Sequence, residues 1–230
     1  MVTLKDFFGS LNLGIIYIMN KYNRIYDKID ATNPKIIYLS GKTCTGKTTL
    51  ANFLRDKYGS AIIELDEIIS EIDAPEGIDK FVEIYRNRGE VELIHLFTTR
   101  VKEEINKALK THPSVIFEGS IANNKTLLEI VQDWTDQFLF IYLSPINLDV
   151  YNQQLKNRLK LANRNNNAGL PSMFWKKFTT EQLEEFYTSR DGKSDVDAGI
   201  TNFAKESMRE SEIRQKMFAE VFADILVVEF

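Results

Sequence analysis

The octapeptide G-K-T-C-T-G-K-T at Gly41–Thr48 constrains what this chain can fold into more than any other feature of its sequence. It matches the pattern G-x-x-x-x-G-K-[ST], and it stands between an apolar run that ends at Ser40 and a helix-forming run that follows Lys47. A loop with glycines at both ends can turn its backbone N–H groups inward, and the following helix adds its positive end. The sequence therefore predicts an anion-binding loop between a buried strand and a helix.

The same loop predicts which groups hold a nucleotide. We expect Lys47 to reach the β- and γ-phosphates of ATP and the Thr48 hydroxyl to ligate Mg²⁺. Because the backbone does the binding in such loops, Cys44 is expected to be a small filler side chain, with a reactive thiol as the alternative. The expected nucleotide-binding residues are Gly41, Thr43, Cys44, Thr45, Gly46, Lys47, Thr48 and Thr49. ATP and Mg²⁺ are thus the predicted cofactors.

After residue 34, short β-branched runs alternate with longer helical stretches, which predicts an α/β fold with a parallel sheet covered on both faces. The predicted strands are 35–40, 61–65, 114–118, 138–143 and 224–229, and the predicted helices are 47–58, 78–109 (as two helices), 126–134, 149–161 and 203–222. The polar stretch 162–199 interrupts the alternation and is typical of a lid or of a disordered segment. We therefore expect a three-layer P-loop NTPase fold with a five-stranded parallel sheet over 35–230. A lid at about 156–199 and a helical extension at 1–34 complete the predicted organisation.

Composition limits the kinds of partner, metal site and membrane segment that this chain is expected to have. The net charge of −4 disfavours a nucleic-acid partner, and one cysteine with two histidines excludes a disulfide framework and a structural zinc site. The apolar run Leu11–Met19 is about half as long as a membrane span and lacks a signal cleavage site after it. We expect it to pack as part of a helix, with a partner-binding or membrane-surface helix as the alternative. A cytoplasmic protein without a transmembrane segment is predicted, and the oligomeric state stays open.

Missing motifs separate the nucleotide-binding classes. GTPases read the base with N-K-x-D and carry D-x-x-G after an earlier strand, whereas here Asn124-Lys125 is followed by Thr126-Leu127 and neither motif occurs at a strand end. Motor ATPases need a sensor architecture that 230 residues cannot hold. The pattern therefore favours a small-molecule kinase.

Two carboxylates follow neighbouring predicted strands. Asp66 comes after the second strand and Glu118 ends the third, and the carboxyl ends of parallel strands open onto one crevice. Asp66 is predicted to accept the proton of the attacking hydroxyl, with a helix cap as the alternative. Glu118 is predicted to contact the acceptor or hold Mg²⁺, with a solvated strand end as the alternative. Gly119 beside it favours close approach of a ligand or of backbone.

Arginines are expected where transition-state charge develops. Arg158 and Arg164 stand at the start of the predicted lid and are predicted to close over the γ-phosphate, with a solvated basic helix face as the alternative. Arg88, in YRNRGE between the second and third strands, is predicted to hold a phosphate of the acceptor if it has one; exposure is the alternative reading.

Five segments together resemble the uridine kinase branch of P-loop kinases: GKTCTGKT, ELDEII, VIFEGS, FIYLS and ADILVVE. Nucleoside monophosphate kinases and zeta-toxin-like kinases are similar at a coarser level. The resemblance covers about residues 35–230 and implies a central parallel sheet, ATP with Mg²⁺, and Asp66 as base. We expect an ATP-dependent kinase that transfers the γ-phosphoryl group to a hydroxyl or phosphate of a small acceptor, foremost a nucleoside or nucleotide. A toxin-type sugar-nucleotide kinase and a nucleotide-binding switch with little turnover are the alternatives.

Overall fold

The structure is a computed structural model, and it describes residues 22–73, 90–121, 123–164, 180–189 and 195–229. Leu11–Met19, Arg88 and most of the predicted lid lie outside these residues. The backbone clusters into two compact units, Met1–Pro34 and Lys35–Phe230. In the described part of the first unit, helix α1 covers 22–32, and the N–H of Asn33, at φ 44°, donates to the Ile29 carbonyl at 2.7 Å.

A five-stranded parallel sheet forms the centre of the second unit. The strands are β1 Ile36–Gly41, β2 Ala61–Glu64, β3 Val115–Glu118, β4 Phe138–Ser144 and β5 Ile225–Glu229. They lie in the order β2-β3-β1-β4-β5, and every neighbouring pair is parallel. The sheet and its flanking helices confirm the predicted α/β P-loop fold. Sequence patterns located each strand to within one residue, because the strands of a parallel sheet covered on both faces are near-continuous apolar runs.

Helices connect the strands. In chain order they are α2 Lys47–Tyr58, α3 Leu65–Asp73, α4 Glu90–Ala108, α5 Asn124–Val131, a 3-10 helix Gln132–Gln137, α6 Leu148–Arg164, α7 Thr180–Thr188 and α8 Val196–Ala219. Part of the polar stretch 162–199 is helical, at the end of α6, in α7 and at the start of α8, so the interruption of the alternation is shorter than predicted. The polar residues of α7 and α8 concealed a sparse apolar stripe, since Tyr187 and Ile200 are 3% and 1% exposed and pack in one cluster. Among the described residues, no helix has both the length and the apolar character to cross a membrane.

The register of the sheet aligns the strand ends that carry the candidate site. Leu39 of β1 pairs with Glu118 of β3, which pairs in turn with Glu64 of β2. Beneath this edge, the rings of Phe117 and Phe140 lie 4.7 and 4.8 Å from the buried Tyr38 ring. This aromatic packing ties β1 to β3 and β4, so the side chains that leave the carboxyl ends of these strands start from set positions.

Helices α6, α7 and α8 pack together in one cluster, and α8 approaches the end of α7 closely at Gly199. The carboxylate of Asp195 caps α8 by accepting the N–H groups of Asp197 and Ala198 at 2.9 and 3.1 Å. One turn later, a Cβ on Gly199 would lie 1.9 Å from the carbonyl oxygen of Tyr187 at the end of α7. Only a glycine lets the two backbones approach so closely.

Substituting Gly199→Ala is therefore expected to destabilise the protein by about 1–3 kcal/mol or more, because the clash is with backbone and no rotamer relieves it. Urea denaturation of the variant measures the loss. Lys205→Ala is the control, since Lys205 is exposed on the same helix. An unchanged midpoint for Gly199→Ala would contradict the close packing of α7 on α8.

Candidate active site

The glycine-rich loop adopts backbone angles that ordinary residues avoid. Gly41 and Gly46 have φ values of 143° and 83°, and Cys44 has 61°. A Cβ at Gly41 would lie 2.3 Å from the carbonyl oxygen of Leu143, so β4 leaves no room for a side chain there. The Cys44 side chain packs against the cluster formed by α6, α7 and α8, which favours the filler interpretation.

Lys47 bonds to the inside of this loop. Its Nζ donates to the carbonyl oxygens of Gly41 at 3.1 Å and Lys42 at 2.9 Å. Burial lowers the pKa of Lys47, and the negative charges of Glu118 and Asp66 oppose that shift. Phosphate oxygens accept stronger hydrogen bonds from an ammonium than amide carbonyls do. The Lys47 ammonium, which bonds two loop carbonyls here, is therefore placed to bind a phosphate group.

The threonines at the end of the loop and the start of α2 have different surroundings. Thr45 is 1% exposed, and its hydroxyl donates to the Lys42 carbonyl at 2.7 Å, which braces the loop. Thr49 is exposed on the first turn of α2. Thr48, beside it, turns its hydroxyl to the carboxylate of Glu118 instead.

Glu118 is a buried carboxylate at the end of β3. It is 5% exposed, which excludes the solvated strand end considered from the sequence. Burial raises the pKa of Glu118, opposed by the hydrogen bond from Thr48 and by the Lys47 charge. Its Oε1 atom is buried without a hydrogen-bond partner in the described part of the chain. Such an atom costs free energy unless a cation or water meets it.

The residues around Glu118 fit a magnesium ion. A hydroxyl and a carboxylate are hard oxygen ligands, and Mg²⁺ keeps several waters and phosphate oxygens beside one or two protein ligands. The orphaned Oε1 of Glu118 supplies a coordination position that the protein does not otherwise use. No group of three His, Cys, Asp or Glu that could hold a metal occurs within the described ranges. Thr48 and Glu118 would therefore be the protein's share of the ligands.

Gly119, directly after Glu118, lies close to a neighbouring side chain. Gly119 has φ 145°, and a Cβ there would lie 2.8 Å from the Cβ of Leu65. The glycine thus leaves room for the side chain of Leu65, the first residue of α3. This contact seats the start of α3 against the end of β3.

Asp66 directly follows Leu65, so this contact also fixes the position of Asp66. It is the second residue of α3, inside the first turn and not before it, and its side chain is half-buried. Its charge acts on both Lys47 and Glu118, so the three ionisable groups lie near one another. The positive end of α3 favours a carboxylate there.

Arg158 reaches the loop from α6. It continues the buried stripe of Tyr151 and Leu155, which are both 0% exposed, at helical spacing. Its Nη1 donates to the Thr43 hydroxyl at 2.5 Å and to the Cys44 sulfur at 3.2 Å. The solvated-face alternative is thereby excluded for Arg158. Arg164 is the last residue of α6, and its side chain lies outside the described residues, as does all of Arg88.

Helix α8 contributes residues that the sequence did not reveal. Glu210 forms an ion pair with Lys42 of the loop, and Arg214 donates to the hydroxyl of Ser120 just past β3. Gln215 donates to the Ser144 hydroxyl at the end of β4, at 3.0 Å. The only available signal was the spacing of these polar residues, which puts 210 and 214 on one helix face.

Comparisons with known proteins locate distant structural likenesses. No protein-family model matches the chain, and no curated protein matches its sequence. A shikimate kinase from Bacteroides thetaiotaomicron is 16% identical, with 84% of this chain and 85% of that one covered and a TM-score of 0.44. A gluconokinase from Sinorhizobium meliloti 1021 is 14% identical, with 79% and 97% covered and a TM-score of 0.39.

A shikimate kinase from Acinetobacter baumannii, in complex with shikimate, is 20% identical, with 81% of this chain and 97% of that one covered and a TM-score of 0.35. Likenesses this distant assign neither an activity nor an acceptor to this chain. The resemblance to the uridine kinase branch stays a prediction.

Proposed function

We propose that residues 35–230 form an ATP-dependent phosphotransferase that phosphorylates a hydroxyl group of a small acceptor. The proposal rests on one observation. Lys47, Asp66 and Glu118 follow the ends of three neighbouring strands and lie near one another at the glycine loop, which Arg158 also contacts. Phosphoryl transfer depends mainly on positioning and on charge placed at the equatorial oxygens, and these groups supply both.

Each residue has a separate role in this proposal. The loop amides and Lys47 bind the β- and γ-phosphates, and Thr48 with Glu118 holds Mg²⁺, which when bound neutralises charge on the phosphates. Asp66 takes the proton of the acceptor hydroxyl while the oxygen of that hydroxyl forms a bond to the γ-phosphorus. The bond from the γ-phosphorus to the bridging oxygen breaks, and ADP leaves. Arg158 stabilises the charge on the transferred group.

Product analysis tests the proposal. The protein is incubated with ATP, Mg²⁺ and nucleosides, nucleotides, sugar nucleotides, sugars or hydroxy acids, and ADP and phosphorylated product are followed by phosphorus NMR. We expect stoichiometric ADP and phosphomonoester with at least one acceptor, abolished in Asp66→Ala. Binding of ATP without product from any acceptor, identical in Asp66→Ala, would instead favour a nucleotide-binding switch.

Arg158 allows a prediction that is specific to helix α6. Arg158→Ala is expected to lower the rate of ADP formation by about 10²–10³-fold, the usual effect of removing one transition-state donor. Arg158→Lys should recover part of the rate, since it keeps the charge and loses the planar fork. Lys160→Ala, exposed on the same helix, is the control. Equal rates for Arg158→Ala and the control would remove Arg158 from the site.

A further inference from the structure

Arg214 is a half-buried cation that the proposed function leaves without a task. Its guanidinium donates to the Ser120 hydroxyl and forms no ion pair with any residue in the described ranges. Other cations of the domain have carboxylate partners: Lys42 with Glu210, Lys102 with Asp133 and Lys156 with Asp197. A guanidinium offers five donors in a planar fork that matches carboxylate and phosphate groups.

Two contacts place Arg214 beside the transfer site. Ser120 follows Glu118 by two residues, which limits their separation to about 7 Å even in a fully extended chain. On the other side, Glu210 precedes Arg214 by one helical turn, about 6 Å along the axis of α8. Since Glu210 pairs with Lys42 of the glycine loop, Arg214 lies between that loop and the end of β3.

The groups around Arg214 leave its charge available. Its guanidinium acts on the buried hydroxyls of Tyr38 and Tyr142; burial raises the pKa of Tyr142, and the Arg214 charge opposes that rise. Neither hydroxyl carries a negative charge near neutral pH. Glu210, which also acts on Tyr142, is engaged by Lys42.

We propose that Arg214, together with the Ser120 hydroxyl, binds an anionic group of the acceptor and so determines its class. The acceptor is then a hydroxy acid or a phosphorylated hydroxy compound, and not a neutral sugar or nucleoside. This inference rests on the proposed function, because it assigns Arg214 to the acceptor of that same site. The Arg214 guanidinium would hold this anionic group while the acceptor hydroxyl faces Asp66 and the γ-phosphate.

Anion titrations test the inference without requiring turnover. The protein is first saturated with the ATP analogue AMP-PNP and Mg²⁺, so that the glycine loop is filled, and is then titrated with inorganic phosphate or with malonate by calorimetry. Wild type, Arg214→Gln, Arg214→Lys and Arg209→Gln are compared; Arg209 is exposed on the same helix and serves as the control.

We expect at least one of the two anions to bind the wild type, at least tenfold weaker binding to Arg214→Gln, intermediate binding to Arg214→Lys and unchanged binding to Arg209→Gln. The preferred anion distinguishes a phosphate from a carboxylate on the acceptor. Absence of binding to the wild type, or equal affinity for Arg214→Gln, would overturn the inference. Failure of AMP-PNP itself to bind would instead overturn the proposed function, on which the inference depends.

Discussion

Asp66→Asn is expected to lower the turnover number by about 10²–10⁴-fold, the range that a general base contributes, while ATP affinity changes little. The amide keeps the size of the carboxylate and removes its capacity to accept a proton. Asp66 lies in the first turn of α3, close enough for its charge to act on Lys47 and Glu118. The variant therefore removes the acceptor of the proton without removing the groups that bind phosphate.

Steady-state rates with an acceptor found by product analysis, and calorimetric titration with ATP, separate the two effects. Glu67→Gln is the matched control, because Glu67 follows Asp66 on the same helix and is exposed. An Asp66→Asn protein that retains more than a third of the wild-type rate would exclude Asp66 as the base. A parallel loss in the control would point to disruption of α3 instead.

Glu118→Gln is expected to have opposite effects on function and on stability. The amide is a poorer ligand for a hard cation, so the affinity for Mg²⁺ in the presence of ATP should fall by about 10- to 100-fold. Without ligands the variant should unfold at a higher temperature near neutral pH, since it no longer buries a charge. A site that lowers stability in its free form is common where function requires charge.

The pH dependence follows from the raised pKa of Glu118, which burial causes. When a carboxyl group has a higher pKa in the folded state, its favourable contribution to stability is full below the unfolded pKa, near 4.5, and is lost as the pH rises through the folded value. The stability of the wild type relative to Glu118→Gln should therefore decline from pH 4 towards neutral pH.

Thermal denaturation at a series of pH values measures this decline, with Glu64→Gln as the control at the aligned position on β2. A difference between wild type and Glu118→Gln that stays constant over that range would mean that Glu118 titrates normally. Unchanged Mg²⁺ affinity would remove it from the metal site.

The sequence predicted those parts of the molecule whose signals are local. The loop at Gly41–Thr48 carries its strand and helix beside it, and the five strands are continuous apolar runs, so both were found. The burial of Glu118 was undecidable, because a strand end is solvated or covered according to what packs upon it. Helix α7 was missed because its apolar stripe has few residues.

Contacts between distant parts of the chain had no signal of that kind. Arg214 meets Ser120 across 94 positions, and Lys42 meets Glu210 across 168. Which face of α8 meets the strand ends depends on the packing of the whole domain, and hydrophobic periodicity alone gives the face that is buried without naming its neighbours. Arg158 was placed in the lid on chemical grounds, and its reach to Thr43 emerged only from the fold.

Titration of the wild type and of Lys47→Met with ATP and Mg²⁺ tests most directly whether the glycine loop grips a triphosphate. We predict binding to the wild type and affinity about 10- to 100-fold weaker for Lys47→Met, since charge-assisted hydrogen bonds contribute about 1.5–3 kcal/mol each. Equal affinity of the two proteins for ATP, or no binding by the wild type, would contradict a nucleotide site at this loop.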